Sequence, residues 1–166
     1  VALSKSTAIV NNSQKVKEMI AQSKANGDQS LYAMIVNEAD CTVTVYTYNS
    51  SGSYRIPVRA MVCSVGKDGK TPNIEEKITE KSSWVYLSDN KYYQYATYIG
   101  EDLMFQSSPY TKQASASLVA EEYNKLGTPA TAKNIRLSIS DAKWIYDNCS
   151  EGTIVKIVNP SNEEMS

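Results

Sequence analysis

Histidine is missing from all 166 residues, and that absence removes more chemistry than any other feature of the chain. Without imidazole, no side chain changes charge near neutral pH unless its surroundings move it there, and the commonest metal ligand is gone. Three cysteines, at positions 41, 63 and 149, are too sparse for a disulfide-dense scaffold and lack metal-ligand spacing. No calcium-loop pattern occurs either, so no metal or other cofactor is expected. Neither sign of charge is in excess: 17 basic against 18 acidic side chains leave a net charge of -1. That balance excludes the basic footprint of a nucleic-acid binder and gives no attraction to an anionic membrane. No apolar run approaches the ~20 residues that a membrane span needs. No signal peptide is visible, and the start at Val1 reads as a mature or trimmed chain. Linkers, internal repeats and low-complexity segments are also lacking.

What remains is enough for one domain with its own core. Residues 1–30 read as an N-terminal segment, 31–160 as the domain, and 161–166 as a polar tail. In the first segment, Val16, Met19 and Ile20 share one helical face over 13–25, with Ser13 placed to cap and Gly27 just past the end. The period then changes to that of strands. β-branched and aromatic runs at 31–37, 42–48 and 53–65 are separated by turn residues, and further strands are expected at 76–80, 84–87, 91–98, 102–106 and 153–158. In 42–48 the alternation is rough and leaves the inward face open. Helical patterns return at 115–125, closed by Gly127, and at 140–148, where Ser140 is the expected cap. Twelve tyrosines against one phenylalanine fit strand positions with the hydroxyl at a wet edge. A stacking surface for sugars is the alternative. The architecture implied is mainly β with short helices.

The segment 123–158, YNKLGTPATAKNIRLSISDAKWIYDNCSEGTIVKIV, resembles the end of a YkuD-type L,D-transpeptidase catalytic domain. That family's signature is Ser-His-Gly-Cys, an apolar residue and Arg, then a helix opening with Asp-Ala and a Gly-Thr-x-Val strand. MVCSVG (61–66), TP (71–72), YATYIG (95–100) and FQSSPY (105–110) also resemble family segments, in the family's order. The resemblance implies the family's β-sandwich, and an exported, cell-wall-associated protein whose partner is peptidoglycan or its stem peptides.

The same residues imply loss of activity. In the family a Cys attacks an amide carbonyl and a His activates it. Here the Cys position is Asn134, the Gly is Lys133, the His is Ala132, the Ser is Thr131, and the general-base position is Gln106. Only Ile135 and Arg136 remain of the motif's second half, and Ile74 replaces the Gly of the TPxG element. Asn is no substitute for a thiolate, and Gln takes up no proton near neutral pH. Three Ser-x-x-Lys matches (Ser64/Lys67, Ser88/Lys91 and Ser140/Lys143) lie outside the signature, and Ser residues are frequent enough to produce them by chance. The acidic pairs Glu75-Glu76 and Glu121-Glu122 read as solvated surface charge.

The leading expectation is therefore a catalytically inactive L,D-transpeptidase homologue, binding stem peptides through Gln106, Ser107, Thr131, Lys133, Asn134 and Arg136. A transpeptidase with an altered or engineered site and a structural module of a surface protein are the alternatives. Arg136 is expected to brace the loop through backbone carbonyls. From the exported location that the resemblance implies, a Cys63–Cys149 disulfide is expected, with Cys41 free.

Overall fold

A computed structural model of the protein describes residues 29–160. The expected helix over 13–25 and the tail lie outside the described residues. Among those described, no helix is long and apolar enough to cross a membrane.

Eight strands carry the fold: β1 (Tyr32–Asn37), β2 (Thr42–Tyr48), β3 (Tyr54–Ser64), β4 (Glu75–Tyr86), β5 (Tyr92–Ile99), β6 (Leu103–Ser107), β7 (Ile135–Leu137) and β8 (Ile154–Val158). Two α segments accompany them, α1 (Ala120–Tyr123) and α2 (Ile139–Asn148). The ladder runs β1-β2-β3-β7-β6-β5-β4-β8 and returns to β1. The expected sandwich is thus joined along both sides. β3 and β4, of 11 and 12 residues, are long enough to leave one sheet and enter the other. β3 pairs with β2 along most of its length and with β7 at Cys63 and Ser64. β4 pairs with β8 through Glu75–Lys77 and with β5 from Ile78 onward. Among the described strands, β1–β8 and β6–β7 pair in parallel and the others antiparallel.

Period-two alternation explains which side chains face inward. In β1 those are Tyr32, Met34 and Val36; in β2 they are Val43, Val45 and Thr47. The rough alternation of β2 has a cause in two register shifts against β3, which leave Tyr48 buried beside Thr47. Four tyrosines (32, 48, 93 and 110) are buried, whereas Tyr86 and Tyr123 are exposed.

Three expectations about secondary structure need correction, and one strand, β7, is added. The separate strands at 76–80 and 84–87 are one strand, because the polar run between them turns the corner between sheets at a register shift near Lys81. The helix at 115–125 is only a 3-10 turn at Ser115–Ser117 and the single turn α1. Leu118 bridges to Tyr110 in strand fashion and the Val119 N–H donates to the Pro109 carbonyl, so this backbone is already paired. The cap of α2 is Ser138, not Ser140: the Asp141 N–H donates to Ser138 Oγ at 3.2 Å. β7, only three residues long, was too short to show a strand period.

Helix α2 adds Ala142, Ile145 and Cys149 to the same apolar core that the strands fill. Asp141 anchors it to Arg59 of β3 at 2.7 Å, and Trp144 lies against Tyr32 and the Arg59 guanidinium.

The expected Cys63–Cys149 disulfide is absent: all three cysteines are free, buried thiols. Their surroundings differ. The Cys63 thiol interacts electrostatically with Cys41 and Glu38, whereas Cys149, at the end of α2, has Lys81 and Tyr32 for neighbours. Burial pushes the Cys149 thiol up to about 12 and that of Cys63 well above its ordinary value.

Candidate functional site: an amide pair at the signature loop

The parallel pairing of β6 with β7 sets Phe105 opposite Ile135 and Gln106 opposite Arg136. Asn134, one residue before β7, is thereby brought against β6. Its Oδ1 accepts from the Met104 N–H at 3.2 Å, and its Nδ2 donates to Gln106 Oε1 at 3.2 Å. The orientation of both amides follows from the first bond, because a backbone N–H requires the oxygen end of Asn134. Gln106 is buried, and Asn134 is half-buried. The two positions singled out for nucleophile and base are therefore adjacent, and each amide holds the other.

The loop leading into β7 is tied to the end of β3. Val65 O accepts from the N–H groups of Ala130 and Thr131, and Thr131 O accepts from that of Lys67. Thr71 Oγ1 donates to Lys133 O at 2.6 Å and accepts from the Gly66 N–H at 2.7 Å. Gly66 is required there, since a Cβ would come within 2.9 Å of the Thr71 nitrogen. Thr131 Oγ1 closes the turn on Asn134 O at 2.8 Å. Lys133 lies outside the left-handed region, so it carries no backbone strain. Its side chain and Ala132 are exposed. Lys133 borders an open groove of about 610 Å³, together with Lys70, Glu101 and Asp102 and an apolar floor that includes Ile99 and Leu103.

Of the remaining positions, Ser107 is buried and fully engaged, accepting from the Gln94 N–H and donating to Ser108 O. Arg136 is buried, but its partners are side chains rather than the expected carbonyls. One guanidinium nitrogen meets Glu122 Oε2 at 2.9 Å and another donates to the Tyr93 hydroxyl at 3.3 Å. Tyr93 in turn donates to the Asp89 carboxylate. Burial and the Asp89 hydrogen bond both raise the Tyr93 phenol above its ordinary value. Glu122 is not the solvated charge it resembled in sequence: bonds from Lys125 and then Arg136 hold its carboxyl below the usual range. Glu122, Tyr93 and Asp89 carried no sequence signal of this role. Thr71 did, through the TP element.

A mainly-β domain with short helices, the loop before β7 docked on the parallel β6–β7 pair, is of the L,D-transpeptidase fold class. The sequence matches the L,D-transpeptidase catalytic domain family, YkuD, over residues 31–157, and the chain belongs to that family, one of peptidoglycan metabolism. YciB of Bacillus subtilis (strain 168) is 45% identical over 56 residues, which are 34% of this chain and 28% of that protein. An L,D-transpeptidase from Mycobacterium tuberculosis H37Rv superposes with a TM-score of 0.60 at 19% identity, over 78% of this chain and 58% of that one. The L,D-transpeptidase LdtMt1 in complex with imipenem does so with a TM-score of 0.61 at 19% identity, over 78% and 59% of the two chains. At such identities the structures speak for the fold. The chain spans under a third of the curated relative's length and about three fifths of each of these two structures.

Proposed function

We propose that this chain is a non-catalytic L,D-transpeptidase homologue of an exported, cell-wall-associated protein, binding peptidoglycan stem peptides weakly without cleaving them. The Asn134–Gln106 hydrogen bond carries this reading. Where acyl transfer needs a thiolate and a proton acceptor, two neutral amides satisfy each other, and neither can ionise near neutral pH. None of the three cysteines supplies the missing nucleophile, since their thiols are buried in the core and held above their ordinary values.

Of the six positions proposed to meet a peptide, Lys133 lines the groove and offers a cation for a peptide carboxylate. Gln106 and Thr131 hold Asn134 through hydrogen bonds, whereas Ser107 and Arg136 are buried and bonded elsewhere. The long Lys133 side chain also occupies space that a family Gly leaves open, so affinity on the order of millimolar is expected, about 4 kcal/mol.

Imipenem provides the test. Intact-mass measurement after incubation should show the unmodified chain; a stoichiometric adduct on residue 106 or within 131–136 would overturn the inactive reading. Lys133→Gly should tighten stem-peptide binding. The combination of Gln106→His, Ala132→His, Lys133→Gly and Asn134→Cys should recover acylation. If neither variant changes anything while remaining folded, the groove is not a peptide site and the domain is a structural module.

A further inference from the structure

Cys41 ends the β1–β2 turn, one residue before β2. β2 pairs with β3 through Val43↔Met61 and Thr42↔Val62, so the next opposed pair is Cys41 and Cys63. The Cys63 N–H donates to the Cys41 carbonyl at 2.9 Å, which extends the ladder by that one step. Hydrogen-bonded residues opposed in antiparallel strands lie about 5.5 Å apart between Cα atoms, within the range that a disulfide spans. Both cysteines are buried in the same apolar core cluster, beside Val43 and Met61. Cys41 takes a left-handed backbone (φ 52), and its thiol is directed at the Glu38 carbonyl, 3.7 Å away.

We infer that Cys41 and Cys63 form a site of oxidative cross-linking, closing the β2–β3 hairpin with a disulfide while Cys149 stays a thiol. The oxidant is a disulfide of another molecule. One cysteine thiolate attacks it and expels one thiolate, giving a mixed disulfide. The second cysteine thiolate attacks the first cysteine's sulfur and expels the other. Two cysteines are oxidised, one external disulfide is reduced to two thiols, and the two cysteine protons pass to those thiols. Burial raises both thiols in the folded chain, so thiolates are scarce there and the exchange belongs to folding, before the core closes. The bridge would pin the β1–β2 turn to the strand end from which Val65 and Gly66 hold the signature loop.

The test is refolding of the full chain in a glutathione buffer containing glutathione disulfide, with glutathione alone as the control. Thiols are then alkylated under denaturing conditions and the peptides mapped. The oxidised sample should be lighter than the reduced one by two hydrogen atoms before alkylation. It should yield one linked peptide pair containing Cys41 and Cys63, and alkylate only at Cys149. It should also melt higher, by on the order of 10 °C. Cys149→Ser should keep the bridge, and Cys41→Ser should abolish it without creating a Cys63–Cys149 link. Three alkylated thiols in a refolded chain, any bridge to Cys149, or a bridged form that melts no higher than the reduced one would overturn the inference. Should Cys41→Ser fail to fold, mapping of the wild type and of Cys149→Ser still decides.

Discussion

Asn134 uses both ends of its amide, one toward the Met104 N–H and one toward the Gln106 carbonyl oxygen. A side chain of the same size without those groups leaves a strand N–H and a buried amide unpaired. Asn134→Leu should therefore lower stability by roughly 1–3 kcal/mol, the usual cost of stranding buried polar partners. Asn134→Asp keeps an oxygen for Met104, and Gln106 can turn its own NH₂ toward the carboxylate. That variant should lie within about 1 kcal/mol of wild type. Urea titration of the two variants compares them directly. Equal loss in both would mean that the amide pair does not brace the loop.

Between elements, Arg136 is the junction. From β7 it reaches Glu122 on α1 and Tyr93 on β5, and Tyr93 reaches Asp89 in the β4–β5 hairpin. The carboxyl of Glu122 is held below its ordinary range, first by Lys125 and then by Arg136. Its stabilising contribution is therefore complete above the ordinary carboxylate range. It is lost as pH falls through the depressed folded-state value, where the acid form releases both cations. Glu122→Gln should lower stability at neutral pH by roughly 1–3 kcal/mol, since it leaves a buried guanidinium without its counter-charge. The variant should also flatten the acid limb of the stability profile. Denaturant midpoints collected from pH 7 down to about pH 3 test both. An acid limb as steep as wild type would show that other carboxylates govern it.

These links also show which parts of the site were legible in the sequence. Gln106 and Asn134 stood in recognisable motifs, so their meeting was foreseeable. Glu122 was read as surface charge because its partner belongs to another element, and Tyr93 is 43 residues from Arg136. No local pattern reports a contact of that span. The Gly66–Thr71 contact lay within two recognisable segments, yet its purpose, holding Lys133 O, required the fold.

At the scale of the whole molecule, the ring of paired strands ties distant parts of the chain into one unit. The first described residues belong to that unit: Gln29 donates to Gly52 O and Ser30 O accepts from the Tyr54 hydroxyl. A fragment of residues 29–160 should therefore unfold in one cooperative transition, with a midpoint within about 5 °C of the full chain. Calorimetry of both checks it. A broad or much lower transition in the fragment would place part of the stabilising contact in residues 1–28 or the tail.

Sequence alone determined the mainly-β class and most of the strands, because β-branched alternation is a local property that survives without any partner. It also determined that the chain holds no histidine and that Gln106 and Asn134 are amides, since residue identity needs no fold. Tertiary structure alone decided that β4 is one strand turning a corner, that α1 is a single turn, and that Ser138 caps α2. It also set Cys63 opposite Cys41 rather than Cys149, and gave Arg136 its side-chain partners. Each of those outcomes depends on which segments become neighbours across the barrel, a property of the closed chain that no window of sequence contains.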